Sequence, residues 1–175
     1  MKKLLLSISI AAVLALTLIM PAAGAEADPV RIKVDGSTGA EFEVTGDQNV
    51  VIYWRWGVCS RGQAQAFLQA VNQNYHELDG EALFTSVAEA NQYWGPIQPF
   101  GNGEGCIGNK TTYWATLWEY DLGQLAPGTY ELHSIAAVAH RLTDGFDGDG
   151  DGRPDFYSGT LFDQYITINV VEASE

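Results

Sequence analysis

Val50-Val51-Ile52-Tyr53-Trp54-Arg55-Trp56 is the stretch that decides the fold class. Six β-branched or aromatic residues, broken by one arginine and by no glycine or proline, read as a β-strand. Side chains alternate across a strand, so Ile52, Trp54 and Trp56 share one face and Val51, Tyr53 and Arg55 the other. Both faces are largely apolar, which places this strand in the interior of a sheet.

Working upstream, Gly46-Asp47 turns the chain into this strand. Val30 to Val34 and Glu41 to Val44 alternate apolar and polar residues on either side of Asp35-Gly36, and read as an opening pair of strands. Downstream, Ser60 is a helix cap. Ala64, Phe67, Leu68, Val71 and Tyr75 follow at helical spacing and predict a short crossover helix over about 61–75. Its outer face carries Gln63, Gln65, Gln69, Asn72 and Gln73. Asp79-Gly80 is a hairpin signal between His76 to Asp79 and Glu81 to Phe84. Ser86 to Lys110 is irregular and holds Tyr93-Trp94-Gly95-Pro96 and Cys106. A connection of that length in a compact domain is either functional or tied down. Thr112 to Leu122, Tyr130 to Leu142 and Thr160 to Val171 complete the strands, with Trp114, Trp118 and Tyr120 on one face of the first. Trp54, Trp56, Trp114 and Trp118 are core candidates, because sandwich cores take alternate bulky residues. No internal repeat or linker interrupts the series.

Leu125-Ala126-Pro127-Gly128-Thr129-Tyr130 turns the chain into the penultimate strand. A leucine followed by Pro-Gly-x-Tyr resembles the corresponding corner of bacterial secreted immunoglobulin-like and fibronectin-like modules, where the tyrosine fixes the corner. The resemblance implies a mainly β chain, an immunoglobulin-like antiparallel β-sandwich with one short crossover helix.

Specific chemistry is concentrated in Asp147-Gly148-Asp149-Gly150-Asp151-Gly152-Arg153-Pro154-Asp155. Carboxylates at alternate residues of a curled loop converge on one point, and Ca2+ takes six to eight oxygen ligands in a flexible shell. Glycine at position 6 permits the sharp turn, and the carbonyl at position 7 adds an oxygen. Pro154 lowers the entropy of the empty loop. The pattern resembles the D-x-D-x-D-G-x-x-D loops of thrombospondin type 3 repeats and integrin-type propellers. That resemblance implies side-chain ligands from Asp147, Asp149, Asp151 and Asp155 and a carbonyl ligand from Arg153. Asp144 would be an outer or additional ligand. An EF-hand would need glutamate at position 12, which is Ser158 here. Carboxylates this dense repel one another unless a cation neutralises them.

Residues 1–25 read as an export signal: Lys2 and Lys3, an apolar run from Leu4 to Met20, then Ala23-Gly24-Ala25. The alternative is a retained membrane anchor, since the apolar run approaches bilayer-spanning length. Pro21 and the Ala-x-Ala site favour cleavage, and Ala25-Glu26-Ala27 is a second register. No lipobox cysteine follows. Residues 26–175 would then form a single secreted domain, extracellular or at the cell surface, with no membrane insertion. Cleavage leaves seven basic residues against 22 acidic ones, a formal net charge of −15. Such a surface repels nucleic acid, which is excluded as a partner. In an oxidising compartment Cys59 and Cys106 would form a disulfide. Asn109-Lys110-Thr111 matches an N-glycosylation sequon.

No catalytic arrangement emerges. His133 and His140 lie seven apart in one strand and so face opposite ways. His76-Glu77 lacks the second histidine of a helical zinc motif, and nothing singles out two of the 22 acids as a glycosidase pair. The expectation is a non-enzymatic, calcium-stabilised extracellular binding or surface-structural module whose partner is a protein or a polysaccharide. One alternative is a carbohydrate-binding module with Tyr93 and Trp94 as an aromatic platform; a small hydrolase is a more distant third.

Overall fold

In a computed structural model, residues 28–36, 38–108 and 112–173 are described. The export segment 1–25 and the sequon at 109–111 lie outside them. The strands are β1 Val30–Lys33, β2 Glu41–Thr45, β3 Asn49–Val58, β4 Val71–Leu78, β5 Glu81–Ala82, β6 Gln98–Phe100, β7 Tyr113–Gln124, β8 Gly128–Thr143 and β9 Phe156–Val171. Two short helices, α1 Arg61–Ala70 and α2 Val87–Ala90, interrupt them, with a 3-10 turn at Asn91–Tyr93. The strands form a four-stranded sheet, β1-β3-β7-β6, and a five-stranded sheet, β2-β9-β8-β4-β5, which face each other as a β-sandwich. No described helix is long and apolar enough to cross a membrane.

The core follows from period-two alternation on the facing strands. Ile52 and Trp54 of β3, Trp118 of β7, Leu132 and Ala136 of β8, and Phe162, Ile166 and Ile168 of β9 are buried between the sheets. Of the four tryptophans expected inside, Trp54 and Trp118 are fully buried, while Trp56 and Trp114 are half-buried. The core also contains polar groups. His76 is 0 % exposed, stacks on Trp118 at 4.1 Å, and lies 2.9 Å from the Ser134 hydroxyl and 3.0 Å from Asn74 Oδ1.

Three expectations are corrected. β1 and β2 do not pair with each other: β1 adds to β3 and β2 to β9, both in parallel, so the sandwich is not purely antiparallel. The intervening segment carries the chain from one sheet to the other, which lets Ile32 and Val34 on one side and Val44 on the other reach the same core. The helix ends at Ala70, not at residue 75. From Val71 onward the chain contains β-branched and asparagine residues, poor helix formers, and β4 instead pairs antiparallel with β8. Ala64, Phe67 and Ala70 keep the buried helical face, whereas Val71 and Tyr75 belong to the strand. Finally, the segment from Ser86 to Lys110 is only partly irregular, since it holds α2, the 3-10 turn and β6.

Several local readings hold. Ser60 accepts a hydrogen bond from Gln63 N as the α1 cap. Asp79 and Gly80 have φ of 52° and 78°, the positive pair that a tight two-residue hairpin needs. The Tyr130 hydroxyl donates to the Ala126 carbonyl at 2.9 Å and so fixes the corner before β8.

Candidate metal centre

The connection from β8 to β9 carries the aspartate loop. One ligand oxygen each of Asp147, Asp149 and Asp151 lies within 4.8 Å of the others. The curl is made locally by side chains that accept backbone N–H groups: Asp149 Oδ1 from Asp151 N at 3.1 Å, Asp151 Oδ1 from Arg153 N at 2.8 Å, and Asp147 Oδ2 from Gly152 N at 3.0 Å. The other Asp147 oxygen, Oδ1, is buried and has no hydrogen-bond partner. A buried carboxylate oxygen left unpaired is costly, and a cation at the focus of the three carboxylates would satisfy it. The donor set is all oxygen, which suits a hard divalent ion.

Asp155 stands apart from this trio. Its Oδ2 accepts Gly148 N at 3.0 Å across the mouth of the loop, and a Cβ on residue 148 would meet that oxygen at 2.6 Å. A side chain at 148 would therefore displace the Asp155 carboxylate from this bond. Arg153 contributes its N–H to Asp151. Asp144 is also outside the trio. It is buried, accepts from Phe146 N at 2.9 Å and from the Tyr157 hydroxyl, and burial raises its pKa. Burial first, then the bond to Asp144, pushes the Tyr157 pKa up to about 12.

The base of the loop is held by the disulfide region. Cys59 and Cys106 are bonded, with Cα atoms 5.5 Å apart. Cys59 N donates to the Asp144 carbonyl at 2.7 Å, Ile107 N to Gly145 O at 3.1 Å, and Asp147 N to Gly105 O at 3.1 Å. Both half-cystines thus touch backbone that leads into the aspartates. Gly145 passes so close to the bridge that a Cβ there would stand 2.8 Å from Cys59 Cβ, and its φ is +82°. Gly145→Ala is expected to lower stability by about 3 kcal/mol or more. Gly150→Ala, at φ +77° with nothing within 4 Å, should cost only the backbone strain, about 1 kcal/mol. Urea unfolding of the two variants checks this, and equal losses would remove the steric argument.

The expected aromatic platform divides in two. Tyr93 is 42 % exposed and packs edge-on to Tyr120 at 4.9 Å. Trp94 is half-buried and turned inward, 4.6 Å from the Trp54 ring and 5.4 Å from Phe67. A planar pair offered to solvent is not formed, because the 3-10 turn rotates the second ring into the core.

A second polar cluster, not anticipated from sequence, lies on the outer face of the five-stranded sheet. His133 Nε2 is 2.7 Å from Asp163 Oδ1 and Nδ1 is 3.2 Å from Glu77 Oε1, with Tyr165 stacked on the imidazole at 4.0 Å. The Tyr75 hydroxyl donates to Glu77, and that bond, followed by the one from His133, lowers the Glu77 pKa. Both imidazole nitrogens are engaged by carboxylates, so neither is presented for proton transfer or metal ligation. The cluster ties β4, β8 and β9 together across their strands. Compared with known proteins, the chain matches no family model, no curated protein and no solved structure.

Proposed function

We propose that this chain is a secreted β-sandwich stabilised by one calcium ion and acting as an extracellular binding or surface-structural module. The observation that carries the reading is the focus of Asp147, Asp149 and Asp151, with Asp147 Oδ1 buried and unpartnered. The Arg153 carbonyl and Asp155 would complete the ligand set that the loop pattern implies. The Cys59–Cys106 bridge supports an oxidising compartment, where such bonds persist. A ligand that binds only the folded loop adds its binding energy to folding stability. The aspartates close the turn between the two longest strands, so holding them together secures the β8–β9 hairpin.

Thermal unfolding of the full chain in calcium and in chelator tests this. With free calcium near 100 times Kd, the gain is about 2.7 kcal/mol, or about 5–10 °C in melting temperature. The double variant Asp149→Ala, Asp151→Ala should show no calcium response. A calcium-insensitive wild-type chain, or a variant that keeps the full shift, would reject the site.

A further inference from the structure

The chain contains six Asp-Gly peptides, at Asp35, Asp79, Asp144, Asp147, Asp149 and Asp151. An aspartate followed by glycine can close on itself. The glycine nitrogen attacks the aspartate Cγ and a C–N bond forms. A carboxyl oxygen leaves as water, taking the amide proton and one proton from solvent. Water then opens the cyclic imide at either carbonyl, which returns aspartate or gives isoaspartate. Water is released and consumed in equal amount, the borrowed proton is returned, and no other reactant is needed. Glycine favours closure because no Cβ shields its nitrogen.

Reaction in a folded chain requires a carboxyl curled forward over the next peptide, a free glycine nitrogen and an open segment. The carboxyl curls forward at Asp144, Asp149 and Asp151. Their Oδ1 atoms accept the N–H two residues on, from Phe146 at 2.9 Å, Asp151 at 3.1 Å and Arg153 at 2.8 Å respectively. The other three carboxyls are held elsewhere. Asp35 Oδ2 lies 3.1 Å from Lys33 Nζ, Asp79 Oδ1 accepts from Glu131 N at 2.8 Å, and Asp147 Oδ2 accepts from Gly152 N at 3.0 Å.

The glycine nitrogens separate the three curled residues. Gly145 N donates to Thr143 Oγ1 at 3.1 Å and Gly152 N to Asp147 Oδ2 at 3.0 Å. Gly150 N meets no acceptor among the described residues. Asp144 is also buried, with Gly145 pressed against Cys59. Asp149 and Gly150 are both exposed, and a Cβ at 150 would have nothing within 4 Å.

We propose that Asp149–Gly150 is a modification site, the peptide at which this fold isomerises to isoaspartate in preference to the other five. The product carries the main chain through Cβ and leaves a carboxylate shorter by that carbon, displaced from the focus shared with Asp147 and Asp151. Isomerisation would therefore impair the metal site. That consequence rests on the calcium reading, and a bound ion would in turn hold the Asp149 carboxylate against attack. The choice of peptide does not rest on it.

The test ages the full chain at neutral pH in chelator, in excess calcium, and in chelator with urea above the unfolding transition. Peptide mapping with electron-transfer fragmentation tells isoaspartate from aspartate. Asn102-Gly103 passes through the same imide with loss of ammonia and is separated by its mass. In chelator, isoaspartate should appear first at 149 and exceed each of the other five several-fold. In urea the six should react at similar rates, because the bonds that distinguish them are gone. Asp147→Ala frees Gly152 N, so isoaspartate at 151 should rise several-fold in that variant. A first product at another aspartate, no isoaspartate at any, the same preference for 149 in urea, or no change at 151 in Asp147→Ala would each overturn the assignment. Calcium should slow the reaction at 149. Equal rates in calcium and chelator, with 149 still first, would uphold the modification site and remove the ion.

Discussion

Replacing Cys59 and Cys106 by serine together is expected to cost about 4 kcal/mol of folding stability. The bridge spans a sequence separation of 47 and closes a large loop containing α1, β4, β5, α2 and β6. Restricting the unfolded chain over about 50 residues is worth about 4 kcal/mol in the chain-entropy model. The bridge also sits against the backbone that enters the aspartate loop, through Cys59 N on Asp144 O and Asp147 N on Gly105 O. Loss of the bridge should therefore weaken calcium binding as well as folding. Chemical denaturation of the double serine variant, with and without calcium, reads both effects. Equal midpoints for the variant and the wild type would show that the bridge is incidental to the fold.

Acidification should unfold the chain through His76. Asn74 Nδ2 donates to Asn91 Oδ1 at 3.1 Å, so Asn74 Oδ1 is the acceptor, His76 carries its proton on Nε2, and Nδ1 accepts from Ser134. Burial, and secondarily the charge of His133, holds the His76 pKa down to about 3. An unfolded histidine titrates near 6.5. Between those values the unfolded state binds the extra proton, so stability rises with pH across the window and is lost as pH falls from about 6.5 to 3. The full effect is on the order of 5 kcal/mol. Carboxylates titrate over part of the same range, so the informative comparison is with His76→Gln, which keeps an amide in the network but does not titrate. Wild type should exceed the variant at pH 7, and its advantage should shrink by about 3 kcal/mol by pH 4. Parallel stability curves would show that His76 is not the acid-sensitive group.

Residues whose roles depend on local pattern were legible before the fold was known. The apolar run at Val50 to Trp56 forms β3, Asp79-Gly80 makes the turn its dipeptide implies, and Tyr130 fixes its corner. The convergence of Asp147, Asp149 and Asp151 was legible because their alternation is a property of consecutive residues, whereas the place of Asp155 outside that trio was not. Roles that depend on distant partners were not. Val71 and Tyr75 fit helical spacing from Ala64, and only pairing with β8 shows them to be strand residues. Trp94 lies among glycine and proline and so reads as exposed, but its ring is drawn inward by Trp54 and Phe67. The parallel placement of β1 and β2 leaves no local mark, because it depends on which long strand each one meets.

That placement bears on the open edges of the two sheets. β1 covers Val50 to Tyr53 on one sheet, and β2 covers Thr167 to Val171 on the other. Both covered runs are rich in β-branched or aromatic residues, the kind of sequence that pairs with copies of itself when its hydrogen-bonding edge is open. The two short strands thus act as guards against self-templating. A protease that cut between Thr45 and Asn49 would leave β3 to β9 covalently whole and free the guards to dissociate, exchanging the short edges of β1 and β2 for the long ones of β3 and β9.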